Sequence, residues 1–238
     1  MTDLGLRERK KARTRQAIAD AAARLFAQRG YEQVAVSDVA REAEVSEQTV
    51  YNYFQTKEQL VTDRDQLIQE ELSRLIRTRA PGTSPAAAIR GFVLDTVEGI
   101  RRIPAGQWRG ELGFLAAISP TVHRLALAVS DRQASALATA LAETEEVAPE
   151  IAKLRGIALA SVFQIIITEA GRRTREGQSQ DQIADELRPA IEAVLDDLDA
   201  WLTPAMDRHS RNRTTEAAGS PPPISPGPPG PATSPPED

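Results

Sequence analysis

Residues 36–54 read VSDVAREAEVSEQTVYNYF and predict two short helices joined by a tight turn. The first covers about residues 38–43, with Ser37 in a position to cap its N-terminus. The second covers about residues 47–53, with Ser46 as its cap. Helices this short are unstable alone, so flanking helices must hold them in place. The pattern is typical of a helix-turn-helix, whose second helix enters the major groove of DNA.

The second of these helices carries side chains that suit DNA recognition. Hydroxyl, amide and carboxylate groups can bond base edges, and hydroxyl and amide groups can also bond phosphate oxygens. Lys57, at the start of a predicted fourth helix, favours a phosphate contact. Val50 and Phe54 lie four residues apart and define the buried side, and a core role for the neighbouring aromatic residues is the alternative. The expected DNA contacts are Ser37, Ser46, Glu47, Gln48, Thr49, Tyr51, Asn52, Tyr53 and Lys57.

The helical pattern extends outward in both directions. Towards the N-terminus, apolar residues recur at i, i+3, i+4, i+7 and i+8 from Ile18 to Phe26, and Gly30 follows where such a helix would end. Towards the C-terminus, Thr56 and Gln59 form a capping-box pattern. That pattern predicts a long fourth helix that ends before residue 80.

Further helix starts follow from local signals. Serine–proline pairs at residues 84–85 and 119–120 predict the starts of the fifth and seventh helices. A short sixth helix is predicted over about residues 108–117, and an eighth over about residues 149–175. A second capping-box pattern at residues 179–182 starts the ninth. Almost no segment alternates with a period of two, so we predict an all-α protein of about nine helices.

Charge is distributed unevenly over the 238 residues. The net charge is −5, yet residues 7–15 hold six basic side chains and one acidic side chain. A basic segment on an acidic protein is typical of contact with a polyanion at one end, and a solvated terminus without a role is the alternative. We therefore expect residues 1–15 to form a basic N-terminal arm that reaches a flanking phosphate or minor groove.

The C-terminal residues 204–238 have a different composition. They contain ten of the 16 prolines and end in SPPPISPGPPGPATSPPED. Such a segment buries too little apolar surface to offset its chain entropy, so we predict a disordered tail with polyproline II bias. A docking site for a domain that binds polyproline II segments is the alternative.

The composition also excludes several classes of site. The chain has no cysteine, which excludes disulfides, thiolate metal sites and cysteine nucleophiles. With only two histidines we expect no metal site, and no motif indicates a cofactor. No run of eighteen consecutive apolar residues occurs, and the charged N-terminus lacks the apolar region of a signal peptide. We therefore expect a cytoplasmic protein.

Residues 13–60 resemble the N-terminal domain of the TetR family of bacterial transcriptional regulators. One position departs from the family pattern, because this chain has Glu44 in the turn where the family usually has glycine. The matching positions are Ile18, Ala21, Phe26, Gly30, Tyr31, Val36, Asp38, Val39, Ala40, Ala43, Val45, Ser46, Thr49, Val50, Tyr51, Tyr53, Phe54, Lys57 and Leu60.

The resemblance implies two domains, a helix-turn-helix domain over residues 16–60 and a helical ligand-binding and dimerisation domain over residues 61–203. It implies a repressor that binds a palindromic operator as a homodimer through its last two helices and is released by a small molecule. Residues 156–167 support a dimer independently, because a helix that is apolar nearly all round must be covered on several sides. A buried central helix of a monomer is the alternative.

The effector site is expected on the fifth to eighth helices. Few of the candidate side chains are polar, which favours an apolar or aromatic effector. Core packing is the alternative for the phenylalanines, and a surface position is the alternative for the histidine. The candidates are Phe92, Trp108, Phe114, His123, Phe163, Gln164 and Thr168.

Two other classes of protein are weaker hypotheses. An enzyme would need a nucleophile, a base or a metal cluster in a cleft, and the sequence has no G-x-S-x-G, P-loop or H-E-x-x-H motif. We therefore expect no enzymatic activity. A helical dimeric adaptor that presents the Pro-rich tail, without DNA binding, is the second hypothesis.

Overall fold

The computed structural model describes residues 3–203, with side chains from residue 7 onward. Within that range the chain forms ten α-helices and no β-strand, which confirms the all-α class with one helix more than predicted. The predicted Pro-rich tail lies outside the described residues. The helices are α1 (Asp3–Arg29), α2 (Val36–Glu42), α3 (Glu47–Tyr53), α4 (Asp65–Arg77), α5 (Pro85–Gly99), α6 (Ala105–Trp108), α7 (Leu112–Ile118), α8 (Pro120–Thr144), α9 (Pro149–Arg175) and α10 (Gln180–Leu202).

Serine caps fix the start of four helices, as the sequence predicts. Ser46, Ser84 and Ser119 each accept a hydrogen bond of 3.0–3.1 Å from the main-chain N–H three residues further on. At α10 the capping box is complete, because Ser179 accepts from the N–H of Gln182 and donates its own N–H to the Gln182 side chain. These caps satisfy N–H groups that a helix leaves without partners.

Helix α2 begins earlier than predicted, and Ser37 is not its cap. Ala35 occupies the N-cap position, and Ser37 lies in the first turn of the helix. The Asp38 carboxylate accepts a 3.1 Å hydrogen bond from the Ala35 N–H, so an acidic side chain satisfies the free donor instead of a serine.

The predicted fourth helix is broken, and the prediction that it starts at Thr56 is wrong. A short 3₁₀ turn covers Glu58–Leu60, and α4 begins only at Asp65. Leu60 is buried against the N-terminal helices. One turn later the apolar stripe would need Arg64, whose charged end cannot enter a core. The chain therefore turns at residues 61–64 before the helix continues.

The predicted sixth helix is two helices, α6 and α7, separated by a turn at Gly110. A Cβ atom at this glycine would lie 1.8 Å from the main-chain oxygen of Ala23 on α1. No other residue type allows so close a crossing, so the missing side chain brings α1 onto the α6–α7 turn.

Two hydrophobic clusters hold the described residues together. The first, the head cluster, joins α1, α2 and α3 with Leu60, and it is completed by Leu115 of α7 and Val122 of α8. The second, the body cluster, joins α4, α5, α8, α9 and α10. Because α7 and α8 supply side chains to the head cluster, the three N-terminal helices pack directly on the larger helical body.

Helix α9 is the central helix of the body cluster. Its 27 residues are long and apolar enough to cross a membrane by length and composition, although the sequence has no uninterrupted run of eighteen apolar residues. Such a finding for a single helix is weak evidence, because core helices of water-soluble proteins meet the same criterion. In this fold the helix packs against α7, α8 and α10.

Candidate nucleic-acid interface and effector cavity

Helix α3 is anchored through one face and presents the other to solvent. Val50 is fully buried and Phe54, one turn later, is 1% exposed, so both belong to the head cluster. Tyr51, at the edge of this buried face, is 44% exposed. An exposed tyrosine on a seven-residue helix contributes little to the core, so its ring and hydroxyl are available to a partner.

The remaining polar residues of α3 are arranged around Tyr51. The Ser46 and Thr49 hydroxyl oxygens are 2.8 Å apart, and the Gln48 amide donates a 3.2 Å hydrogen bond to Asn52. Ser46, Glu47, Gln48 and Asn52 are exposed, whereas Thr49, Tyr53 and, on α2, Ser37 are half-buried. This hydrogen bond orients the Gln48 and Asn52 amides on one face of the helix. The remaining N–H and C=O groups of both amides are then available to base edges.

The basic residues that were expected to form an arm lie instead on the first turns of α1. This helix begins at Asp3 and runs without a break into the head cluster. Lys11 and Arg15 line a cleft together with Asn52 and Tyr53 of α3. Arg15 stacks 4.3 Å from the centre of the Phe54 ring and donates a 2.9 Å hydrogen bond to the Tyr53 main-chain oxygen. The fold therefore places the basic segment beside α3.

Lys57 is held more closely than the sequence indicated. Its ammonium lies 4.2 Å from the centre of the Tyr31 ring, and Glu32 and Glu58 are its acidic neighbours. Partial burial lowers the pKa of Lys57, while the two carboxylates oppose that shift. The residue precedes a 3₁₀ turn and not a long helix, so the expected help from a helix dipole is absent at this position.

The turn between α2 and α3 contains a strained residue. Glu44 has a φ of +55°, and among residues 3–203 it is the one residue other than glycine with a positive φ. This region favours glycine. Its exposed carboxylate and that of Glu47, in the first turn of α3, place negative charge beside the polar face of α3.

A cavity of about 330 Å³ lies in the helical body. Its walls come from helices α4 to α9, and residues 61–64, between the 3₁₀ turn and α4, close one side. Most of the lining is aliphatic or aromatic, including Ile100, Trp108 and Phe163. A volume of this size accommodates a small organic molecule.

Two of the seven predicted effector residues, Trp108 and Phe163, line this cavity. Phe92 packs on Phe163 with a ring-centre distance of 6.1 Å but does not line the cavity. The other four lie elsewhere. Phe114 is half-buried near Arg109, Gln164 is half-buried on α9, and His123 and Thr168 are exposed.

The cavity also contains acidic residues that were not predicted, Asp63 and Glu111. Burial raises the pKa of both carboxyls, and the positive charge of nearby Arg64 opposes the shift in each. Asp65 also lines the cavity, but it is paired with Arg132 at 2.8 Å. One sequence signal could have revealed Asp63. The apolar stripe of the predicted fourth helix is interrupted at Arg64, which indicates that the residues around it do not form a regular helix.

Comparison with known proteins agrees with the helix-turn-helix geometry. Residues 18–63 match the family model described as bacterial regulatory proteins, tetR family. Residues 18–63 are therefore a TetR-family domain. The match covers the second part of α1, all of α2 and α3, and the chain that follows them up to Asp63.

Curated relatives match parts of this chain. It is 28% identical over 150 residues to the HTH-type transcriptional regulator TcmR of Streptomyces glaucescens, covering 63% of this chain and 62% of TcmR. It is 32% identical over 74 residues to the uncharacterized HTH-type transcriptional regulator YuxN of Bacillus subtilis (strain 168), covering 31% of this chain and 25% of YuxN. The matched regions thus span less than two thirds of either relative.

A solved structure agrees with the fold over most of the chain. Native NalD, described as the secondary repressor of the MexAB-OprM multidrug efflux pump in Pseudomonas aeruginosa, aligns with a TM-score of 0.50 at 19% identity. The alignment covers 77% of this chain and 97% of NalD. The all-helical architecture is therefore shared across the head and the body.

Proposed function

We propose that this protein is a transcriptional repressor of the TetR family that binds operator DNA as a homodimer and is released by a small molecule. The observation that carries the proposal is the arrangement of α3. Buried Val50 and Phe54 hold it down, and Tyr51, Gln48 and Asn52 face outward beside the basic turns of α1. Polar base-reading groups next to phosphate-binding cations are the two elements that DNA recognition requires.

The homodimer is supported by the surface of α9. Leu154 and Ile157 are 51% and 48% exposed, and Ile151 and Ile165 extend the same apolar surface along the helix. Trp201 adds an exposed ring near the end of α10. Apolar side chains repeated on one helix face indicate burial against a partner, so we assign α9 and α10 to the dimer interface. A dimer would present two α3 helices to half-sites about 34 Å apart or somewhat farther.

The effector response is supported by the chain that closes the cavity. Asp63 lines the cavity, and its main-chain oxygen accepts a 3.4 Å hydrogen bond from Arg15. Arg15 also holds the last residue of α3 through its main-chain oxygen. A ligand that displaces the loop at Asp63 would therefore shift the position of α3 and change the spacing of the two DNA-reading helices in the dimer.

A gel-shift titration against the DNA upstream of the protein's own gene tests the proposal. We expect the parent protein to shift this DNA, and Tyr51→Ala to weaken binding by about fivefold or more, because a recognition contact contributes roughly 1–3 kcal/mol. The matched control is Asp95→Ala, an exposed residue on α5. Circular dichroism checks that both variants keep the helical fold.

The outcomes distinguish the hypotheses. If the parent protein shifts no DNA from this region and no random DNA at low salt, the repressor hypothesis is wrong and the helical adaptor becomes the leading one. If it shifts DNA but Tyr51→Ala binds as tightly as Asp95→Ala, DNA binding stands and the assignment of α3 as the reading helix is wrong. A dimer by sedimentation with no DNA shift also supports the adaptor.

A further inference from the structure

One end of the effector cavity carries more negative charge than positive charge. The lining residues include three acids, Asp63, Asp65 and Glu111, and one arginine, Arg64. Asp63, Glu111 and Arg64 also line a small polar pocket on the α1 side of this wall. Asp65 is neutralised from outside by Arg132, with two hydrogen bonds of 3.0 and 2.8 Å. Asp63 and Glu111 are then opposed by Arg64 alone within the lining. One carboxylate of the cavity wall therefore lacks a compensating cation among the lining residues.

The charges behind this wall leave that balance unchanged. On α1, the carboxylate of Asp20 acts on both acids, and the guanidinium of Arg15 acts on Asp63. They have opposite signs, so these three carboxylates and two guanidiniums sum to −1. Arg102 shares a separate cleft with Asp20 and Arg64 and is not among the charges that shift the pKa of either acid. The Asp63 carboxylate accepts a hydrogen bond from the Arg64 main-chain N–H, which lowers the cost of its burial only in part. A buried carboxylate in excess of its cations is costly, and a bound cation would reduce that cost.

Two neutral side chains of the same cavity wall also offer hydrogen-bonding groups to a ligand. Gln133 lines the cavity and is only 2% exposed. Its amide N–H donates a 3.4 Å hydrogen bond to the Asp65 carboxylate, which leaves its amide oxygen as an acceptor. Trp108 has a buried indole N–H with no hydrogen-bond partner. Acceptors thus outnumber donors at the polar groups of the wall, and the remaining wall, including Ile100 and Phe163, is apolar.

We propose that the cavity binds an organic monocation, an apolar or aromatic body carrying one protonated amine, with the ammonium at Glu111 and Asp63. The ring would lie against Trp108 and Phe163, where an aromatic body buries the most apolar surface. This assignment rests on the proposed function, because it names the chemical class of the effector. It narrows the sequence-based expectation of an apolar or aromatic effector by adding one positive charge.

A series of three compounds with one ring system tests the proposal. Calorimetric titration of the full chain, free of DNA, uses 2-naphthylmethylammonium, 2-naphthylmethanol and 2-naphthoate, which carry charges of +1, 0 and −1. We expect the ammonium compound to bind about tenfold or more tightly than the alcohol, and the carboxylate compound to bind most weakly. The shared ring keeps apolar burial constant, so the differences report the charge of the site.

Two variants assign the effect to residues. Glu111→Gln keeps the side-chain size and removes the charge, and we expect it to weaken the ammonium compound about tenfold while the alcohol changes less than about twofold. Asp63→Asn is the second variant, and it serves if Glu111→Gln fails to fold. Glu146→Gln, an exposed residue of the α8–α9 loop, is the matched control and is expected to bind all three compounds as the parent does.

The outcomes separate this inference from the proposed function. Equal affinity for the ammonium compound and the alcohol, tighter binding of 2-naphthoate, or no binding of any of the three overturns the monocation assignment. The assignment also fails if Glu111→Gln and Asp63→Asn both leave the ammonium compound unaffected. If the ammonium compound binds as expected but does not release upstream DNA in a gel shift, the cation site stands and the effector-controlled repressor is wrong.

Discussion

The guanidinium of Arg15, on α1, donates a 2.9 Å hydrogen bond to the main-chain oxygen of Tyr53, the last residue of α3. The same group stacks on Phe54 and reaches the main-chain oxygen of Asp63 at 3.4 Å. Arg15 therefore ties three segments together, although its place in a run of basic residues favoured a phosphate contact. A half-buried guanidinium with these partners has a structural role first.

Arg15→Gln and Lys11→Gln separate the two roles within one basic segment. We expect Arg15→Gln to lower the free energy of unfolding by about 2 kcal/mol, because it removes charged hydrogen bonds and a ring contact. Lys11 is exposed, so Lys11→Gln should leave stability within about 0.5 kcal/mol and reduce the salt dependence of DNA binding by roughly 0.9 in log–log slope. Urea denaturation and fluorescence anisotropy at several salt concentrations measure these effects. Equal stability of the two variants would contradict the structural role of Arg15.

Local chemistry explains why much of the helical framework was predictable. Serine caps at Ser46, Ser84, Ser119 and Ser179 act within three residues of the chain, so the sequence itself contains both partners of each hydrogen bond. The break between the 3₁₀ turn and α4 was not predictable in the same way. The break depends on the burial of Leu60 against the N-terminal helices and on the exclusion of the Arg64 charge from the core. Both follow from tertiary packing.

The turn residue Glu44 provides a test of strain at the DNA-facing side. Glu44→Gly should raise the free energy of unfolding by about 1 kcal/mol, because a side chain at a φ of +55° costs energy that glycine does not. Glu44→Ala removes the same charge and keeps the strain, so it should show no such gain. Both variants should bind DNA more tightly at low salt, since each removes one negative charge near α3. Chemical denaturation and gel shifts measure the two effects, and equal stability of the two variants would show that the strain is negligible.

The proposed homodimer, with α9 in its interface, predicts that one substitution on the exposed face of α9 produces a monomer. Ile157→Arg should shift the dimer dissociation constant by more than about a hundredfold, because two symmetry-related isoleucines lose a burial of roughly 1.5–3 kcal/mol each. Leu67→Arg is the matched control, since Leu67 is an apolar residue on α4 that is 65% exposed, against 48% for Ile157. Sedimentation velocity measures the state of both variants. A dimeric Ile157→Arg, or a monomeric Leu67→Arg, would place the interface elsewhere.

The polar end of the cavity shows what sequence patterns could not supply. Asp63 and Glu111 are 48 positions apart, and only the packing of the α6–α7 turn against the loop before α4 brings both to one cavity. Periodicity identifies apolar faces, so it selected Trp108 and Phe163 and also side chains such as Thr168 that lie on the outer face of α9. A lone carboxylate in a turn is usually a solvated residue, and its burial becomes visible only in three dimensions.

Burial of Glu111 predicts a specific dependence of stability on pH. Its pKa is raised above the ordinary value of 4.5 by burial, with Asp63 and Asp20 adding to the shift and Arg64 opposing it. The folded state therefore binds this proton more tightly than the unfolded state. The resulting stability is fully present below about pH 4.5 and is lost as the pH rises through the raised pKa.

Glu111→Gln removes this ionisation, so the variant should melt at a higher temperature than the parent above neutral pH. Near pH 4 the difference should disappear, because the parent side chain is then neutral as well. Melting temperatures between pH 4 and pH 8 measure the difference, with Glu146→Gln as the exposed control. A difference that is constant across this range would show that Glu111 does not titrate as its burial requires.

The crossing of α1 over the α6–α7 turn predicts the effect of one methyl group. Gly110→Ala would place a Cβ atom 1.8 Å from the Ala23 oxygen, a main-chain atom that cannot rotate away. We expect a loss of at least about 2 kcal/mol of stability, since inserting atoms into a filled contact costs roughly 1–3 kcal/mol or more. Gly106→Ala is the matched control four residues earlier, where a Cβ atom would meet nothing within 4 Å. That control should stay within about 1 kcal/mol of the parent, as alanine favours helix α6.

Thermal unfolding measures the stability of both variants. Because the crossing holds the head helices against the body, Gly110→Ala should also weaken DNA binding, whereas Gly106→Ala should not. Equal stability of the two variants would mean that α1 can move away from the turn without loss, and the coupling between the cavity wall and α3 would then need another route.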